Sequence, residues 1–301
     1  MAASANGGIE HGYCNADGLR LHFAAAGEGP LIVFVHGFPE YWRAWRHLVA
    51  DFGRDFRAVA YDQRGYNLSD KPAAVEQYRS SHLVADLAAL IGHFDRERAI
   101  IMGHDWGGVV AWAFAIARPD LVEKLVIANA PHPGVFAKLM AGDAEQVRAS
   151  GYIAKYRGAD ADDYLSRGDF AVLRETVLAP GLAAGYFDAA DADAYLRAWR
   201  QPGAVAGMLN YYRAMQIAPS HRDERPAGIP AIDPSSLMVR APTLVIWGMK
   251  DRYLLPQNLI GLDAFVPDLR IHRITGATHW VIHEYPDEVI RITRDFLQDR
   301  E

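Results

Sequence analysis

Ile100-Ile101-Met102-Gly103-His104-Asp105-Trp106-Gly107-Gly108 is a short apolar run that passes through glycines into a helix-length pattern over 108–117. A run of this kind reads as a buried strand that turns sharply into a helix. Gly103, Asp105 and Gly107 make the frame G-x-D-x-G. In the serine version of this frame, the turn lifts a nucleophile above the end of a sheet, and small flanking residues tolerate the crowding. Here the lifted residue is an aspartate. A helix N-terminus beside it favours the ionised carboxylate by about 0.3–1 kcal/mol when exposed. The competing reading is a plain N-cap, a position that aspartate also favours.

Further apolar runs lie on both sides of this turn, at 31–35, 58–61, 99–102, 125–128, 243–247 and 270–274. Helix-length segments such as 81–94 and 108–117 separate several of them. This alternation predicts a mostly parallel sheet flanked by helices. Residues 12–14 and 19–23 are read as an antiparallel hairpin on its edge, which brings the expected strands to eight. The alternation stops after Pro131-His132-Pro133-Gly134 and resumes at Pro242. Between these points the patterns are helical, at 144–156, 170–177, 190–199 and 205–215, followed by a proline- and charge-rich loop at 218–234. The expected organisation is an α/β core at 1–133 and 241–301, interrupted by a helical cap at 134–240.

Three more features sit at strand ends. His36-Gly37-Phe38-Pro39-Glu40 follows the strand at 31–35. In the serine frame, the loop after this strand and the residue after the nucleophile each supply a backbone N–H to an oxyanion hole. The corresponding residues are Phe38 and Trp106. Val245-Ile246-Trp247-Gly248-Met249-Lys250-Asp251 places an acid beyond a strand, and Gly276-Ala277-Thr278-His279-Trp280 places a histidine beyond the next. The chain order nucleophile, acid, histidine suits this kind of sheet.

Composition narrows the function classes. The net charge of −6 and pI near 6.1 argue against nucleic acid, which calls for a basic face. The single cysteine, Cys14, excludes an internal disulfide and fits a reducing compartment. Residues 1–12 carry no apolar signal-peptide region, and no run of about 18 apolar residues occurs, so the expected setting is cytoplasmic. The twelve histidines are scattered without a metal-binding motif. The glycines at 103–108 lack a dinucleotide-binding frame. No metal or cofactor is expected. His104 reads as a packing residue, and the segment 62–66 as a structural loop.

The motifs H-G-F-P-E at 36–40 and G-H-D-W-G-G at 103–108 resemble the α/β-hydrolase superfamily, in its branch of epoxide hydrolases and haloalkane or haloacetate dehalogenases. The resemblance covers essentially the whole chain. It implies an α/β-hydrolase fold in which Asp105 attacks carbon to form an alkyl–enzyme ester. His279, oriented by Asp251, would activate the water that hydrolyses the ester. His36 and Glu40 are assigned to positioning that water. Leu209-Asn210-Tyr211-Tyr212-Arg213 and Ser150-Gly151-Tyr152 look like the epoxide-hydrolase segments that carry two acid tyrosines, Tyr212 and Tyr152, with Tyr156 the alternative to Tyr152. Trp42 and Tyr156 are further candidates for substrate contact.

The implied activity is hydrolysis of a small apolar epoxide to a vicinal diol by a monomer or homodimer, with no nucleic-acid or membrane partner. Dehalogenation by the same aspartate is the alternative, and a non-catalytic binder on this fold is a third reading. The dehalogenase pattern fits less well. Phe38 stands where haloalkane dehalogenases usually carry asparagine, and Trp106 stands where fluoroacetate dehalogenases carry arginine.

Overall fold

The computed structural model describes residues 8–215 and 233–299. The loop expected at 218–234 falls almost wholly outside them. Eight strands form one sheet: β1 (Glu10–Ala16), β2 (Leu19–Ala26), β3 (Leu31–Val35), β4 (Arg57–Tyr61), β5 (Ala99–His104), β6 (Val122–Ala128), β7 (Thr243–Gly248) and β8 (Leu269–Ile274). Their spatial order is β1-β2-β4-β3-β5-β6-β7-β8. β1 pairs antiparallel with β2, and β2 with β4; the remaining neighbours are parallel. The hairpin closes on Asp17 and Gly18, both at positive φ (50° and 84°). That is the two-residue turn whose twist suits paired strands.

The central strands β3, β5 and β7 are buried along their whole length, which is why they appear in the sequence as unbroken apolar runs. Alternate residues serve two layers. Val33, Val35, Ile101 and Ile127 face one core, with α2 (Ser80–His93) and α3 (Trp106–Ala117) beyond them. Ile32, Phe34, Met102 and Val126 face the other, with α1 (Arg46–Phe52).

Between β6 and β7 the described residues hold no strand. They form α4 (Pro133–Gly142), α5 (Ala144–Ala149), α6 (Tyr152–Tyr156), α7 (Ala161–Leu173), α8 (Ala179–Ala184), α9 (Ala189–Trp199) and α10 (Ala204–Ala214). The chain ends in α11 (Val281–Glu284) and α12 (Pro286–Gln298). α12 buries Val289, Ile292, Thr293 and Phe296 on one face, at the 3–4 spacing of an amphipathic helix.

Two expected helices differ. The segment 144–156 is broken at Ser150-Gly151 into α5 and α6. The segment 170–177 straddles a kink, where Gly168, Asp169 and Phe170 take positive φ, and then continues as a wider π turn over Arg174–Leu178. Apolar spacing reports which face is buried; it carries no information about where hydrogen bonding along the helix is interrupted. Side-chain hydrogen bonds reach both places. Gln146 donates to the Ser150 hydroxyl (2.9 Å), and Arg200 donates to Asp169 (2.8 Å).

Candidate active site

β5 delivers Asp105 with φ 52° and ψ −125°, a strained conformation for a residue with a side chain. Crowding holds it there. α3 starts so close to β3 that a Cβ on Gly107 would run into the carbonyls of Val35 and His36. Asp105 occupies the N-cap position of α3, yet its side chain makes no capping hydrogen bond. Its Oδ1 instead accepts the backbone N–H of Phe38 (2.7 Å). Gly37 leaves room for this, since a Cβ there would collide with the Asp105 carboxyl group. Trp106 is the first residue of α3, where a helix leaves the N–H without an intrahelical partner.

His279 comes off the turn after β8. Its Nδ1 lies 2.8 Å from Asp251 Oδ2, and its Nε2 lies 3.5 Å from Asp105 Oδ2. An Nδ1–H donated to Asp251 leaves Nε2 facing Asp105. Asp251 is 3% exposed and accepts three more N–H groups: Asn129 Nδ2 (2.7 Å), Tyr253 N (2.8 Å) and Leu254 N (3.0 Å). Burial works against charge at both residues. Even so, the carboxylates of Asp251 and Asp105 hold the His279 imidazole well above its ordinary pKa, and His279 with these N–H donors keeps Asp251 below the usual carboxylate value.

Asn129 was missed in the sequence. It follows β6, donates to Asp251, and accepts Gly248 N–H (2.8 Å), so it fastens the acid loop at both ends. Its only signal was an amide standing just off a strand end. Gln146 was missed too. It is fully buried, donates to Ser150 Oγ and Tyr253 O, and accepts from Leu255 N and Asn258 Nδ2. It ties the helical segment before Tyr152 to the loop after Asp251.

Asp105, Trp106, Tyr152 and Tyr212 line one cavity of about 420 Å³. The Tyr212 ring stands edge-on to Phe38 and Trp106, with centroids 5.2 Å apart in each case. Among the described residues, neither the Tyr152 nor the Tyr212 hydroxyl has a hydrogen-bond partner, whereas the adjacent Tyr211 donates to Arg64 O (3.0 Å). Burial raises the phenol pKa of Tyr152 and Tyr212 well above the ordinary value, and the negative charge of Asp105 adds to it.

Five expected roles need correction. Glu40 does not line the cavity. It is 1% exposed, accepts Tyr195 O–H (2.9 Å) and His283 Nε2–H (2.6 Å) at Oε1, and approaches His104 Nδ1 (3.3 Å) with Oε2. Burial opposes its charge, but the two histidines hold the carboxyl well below the ordinary glutamate value. His104 does more than pack: its Nε2 donates to the backbone carbonyl of His279 (2.8 Å). His36 spends both ring nitrogens on backbone, Nδ1 on Gly37 O (2.9 Å) and Nε2 on Gln63 N–H (3.1 Å), so no nitrogen is left to hold water. Trp42 lies outside the cavity lining, against His11 (ring centroids 5.0 Å apart). Tyr156 also lies outside it, packed on Phe38, Tyr152 and Tyr212. Both rings are spent on packing against other aromatic side chains.

Among the described residues no three histidine, cysteine or acidic side chains gather as metal ligands, and no helix is long and apolar enough to cross a membrane.

Residues 30–286 match the family model for the alpha/beta hydrolase fold. The chain is 38% identical to the AB hydrolase superfamily protein YfhM of Bacillus subtilis, over 97% of this chain and 99% of the relative. It is 31% identical to mouse epoxide hydrolase 4, covering 94% of this chain and 77% of that protein. A mutant epoxide hydrolase from Bacillus megaterium, solved with its product (R)-3-[1]naphthyloxy-propane-1,2-diol, superposes with a TM-score of 0.87 at 34% identity, covering 96% of this chain and all of that one. By fold and by relatives, the chain is a hydrolase of the α/β-hydrolase fold family, in its epoxide hydrolase branch.

Proposed function

We propose that this protein hydrolyses an epoxide to a vicinal diol, with the helical segment 134–240 serving as a cap over an α/β core. One observation carries the choice of chemistry: two tyrosine hydroxyls that have no partner among the described residues share a cavity with the Asp105 carboxylate. A departing alkoxide needs a proton donor, and a phenol supplies one.

One Asp105 oxygen attacks an epoxide carbon. The carbon–oxygen bond breaks, and the alkoxide takes a proton from Tyr152 or Tyr212. The product of this step is an ester of Asp105, which carries no charge. Losing that charge changes the neighbours. It removes one of the influences that made the tyrosines weaker acids, at the moment the alkoxide needs its proton. It also removes one of the two carboxylates that favoured the imidazolium of His279, which releases this residue to act as a base. His279 then takes a proton from water, and the hydroxide adds to the Asp105 carbonyl carbon. Phe38 N–H and Trp106 N–H receive the oxyanion. Collapse frees the diol, one water oxygen stays in the Asp105 carboxylate, and the proton on His279 returns to the tyrosinate through solvent. Glu40 acts behind His279, through His104, rather than on the water itself.

The test is trapping. His279→Gln, mixed with styrene oxide, should accumulate one covalent adduct per chain on the peptide containing Asp105. Chloroacetate and a bromoalkane run beside it as dehalogenase substrates. Halide release without epoxide turnover, or turnover of styrene oxide by the wild type with no adduct in the variant, overturns the proposal.

A further inference from the structure

α3 reads Trp106-Gly107-Gly108-Val109-Val110-Ala111-Trp112-Ala113-Phe114-Ala115-Ile116-Ala117 and has no charged side chain. Up to Ile116 it is buried except at Trp106, Val109, Ala113 and Ile116. These four recur at spacings of three, four and three, which places them on one stripe of the helix. A stripe facing solvent would carry polar residues; this one is entirely apolar. All four line the same cavity as Asp105. At 1.5 Å per residue, the stripe runs about 15 Å away from the elbow. Among the described residues, the polar side chains lining the cavity beyond Asp105 and the tyrosines are Arg79 and Ser80. A cavity of about 420 Å³ lies within the 300–1,000 Å³ range of sites that enclose drug-sized ligands.

Resting on the epoxide reading above, we infer that the stripe Trp106, Val109, Ala113, Ile116 is the binding track for an extended apolar substituent, and that the substrate is an epoxide with a tail of roughly ten carbons, since a zigzag chain advances about 1.2 Å per bond. The epoxide ring lies at Asp105 between Tyr152 and Tyr212. The tail lies along α3, with its far end beside Ala113 and Ile116. Ala113 sets the usable length, because it is the smallest side chain of the stripe and lies midway along its outer half.

The experiment compares 1,2-epoxybutane, 1,2-epoxyhexane and 1,2-epoxydecane. Each added methylene should raise kcat/KM by roughly threefold to fourfold until the track is filled. Ala113→Trp should lower the epoxydecane-to-epoxybutane ratio of kcat/KM at least tenfold. Should that variant fail to fold, Ile116→Trp gives the same reading. Competitive inhibition of the wild type by 1,2-butanediol, 1,2-hexanediol and 1,2-decanediol gives a second, with inhibition tightening along the series. A flat dependence on length in both series, or an unchanged ratio in a folded Ala113→Trp, overturns the inference while leaving epoxide hydrolysis intact. Hydrolysis of no epoxide at any length, with diol binding still tightening along the series, sinks the reaction and leaves the track.

Discussion

Replacing Asp251 with asparagine exchanges one oxygen for an NH2 group, and the structure gives that exchange a definite cost. The carboxylate accepts four N–H donors, two at Oδ1 from Tyr253 and Leu254, and two at Oδ2 from His279 and Asn129. An amide has one acceptor oxygen. Turned toward Tyr253 and Leu254, its N–H leaves two backbone donors unpaired in a site that is 3% exposed; turned toward His279 and Asn129, it leaves the Asn129 donor unpaired and forces the imidazole to accept. At about 1–3 kcal/mol for each buried donor left without an acceptor, Asp251→Asn should lose about 1–6 kcal/mol, a sizeable part of the roughly 5–15 kcal/mol that holds a typical domain together. The chemical cost is separate. If the amide N–H faces His279, the ring must accept at Nδ1 and carry its proton on Nε2, the nitrogen that should take one from water. Ester hydrolysis should slow by about 10²- to 10⁴-fold, while formation of the ester is affected far less. The Asp251 charge is also the largest influence holding the His279 pKa up, so the acid limb of hydrolysis should move to lower pH in the variant. Urea denaturation reads the first effect, and single-turnover rapid quench reads the second. A variant that unfolds at the wild-type urea midpoint and hydrolyses its ester within about tenfold of the wild-type rate would refute this account of the acid.

The remaining expectations concern the tyrosines, the buried glutamate and the loop beside Asp105. Tyr152→Phe and Tyr212→Phe should each slow ester formation by about 10- to 100-fold, and together by about 10²- to 10⁴-fold, with hydrolysis of the ester little changed. Stopped-flow burst kinetics separates the two steps, and Tyr156→Phe, which removes a hydroxyl outside the cavity lining, serves as the comparison. Glu40 has a folded pKa well below its ordinary 4.5, so the stability it contributes is full above that value and disappears as pH falls through the folded pKa. The urea midpoint of Glu40→Gln should therefore lie below that of the wild type at pH 7, with the gap narrowing steadily below pH 4.5; a gap that is constant with pH counts against the assignment. Gly37→Ala pushes a methyl group into the Asp105 carboxyl group and should slow ester formation by about 10²-fold, as a misplacement of about 1 Å would.

Much of this molecule is visible in the sequence because its strands are buried on both sides and appear as unbroken apolar runs, and because a crowded elbow leaves glycine no substitute at Gly107. Asp105, Asp251 and His279 stand just past the ends of β5, β7 and β8, where their order along the chain makes them easy to find. What the sequence hides is partnership at long range. Asn129 and Asp251 are 122 positions apart, and Glu40 and His283 are 243 apart. No local pattern says that such residues meet. Residue type also misleads where burial decides the role: His36 looked like a water ligand until both its nitrogens were engaged by backbone, and Trp42 looked like a pocket wall until it lay outside the cavity. Tyr211 and Tyr212 are neighbours of the same type, and only the hydrogen bond from Tyr211 to Arg64 O separates a strut from a candidate acid.

The helical layer is fastened to the sheet by donors that have nowhere else to go. Tyr195 O–H reaches Glu40, Trp199 Nε1–H reaches Pro39 O, and Tyr211 O–H reaches Arg64 O, all three as buried contacts. Raising that layer like a lid would strip all three at once, at about 1–3 kcal/mol each, before any molecule had been admitted. Traffic must therefore pass between helices while both layers stay seated. On this account the slow event for a long guest is threading in and sliding out between helices.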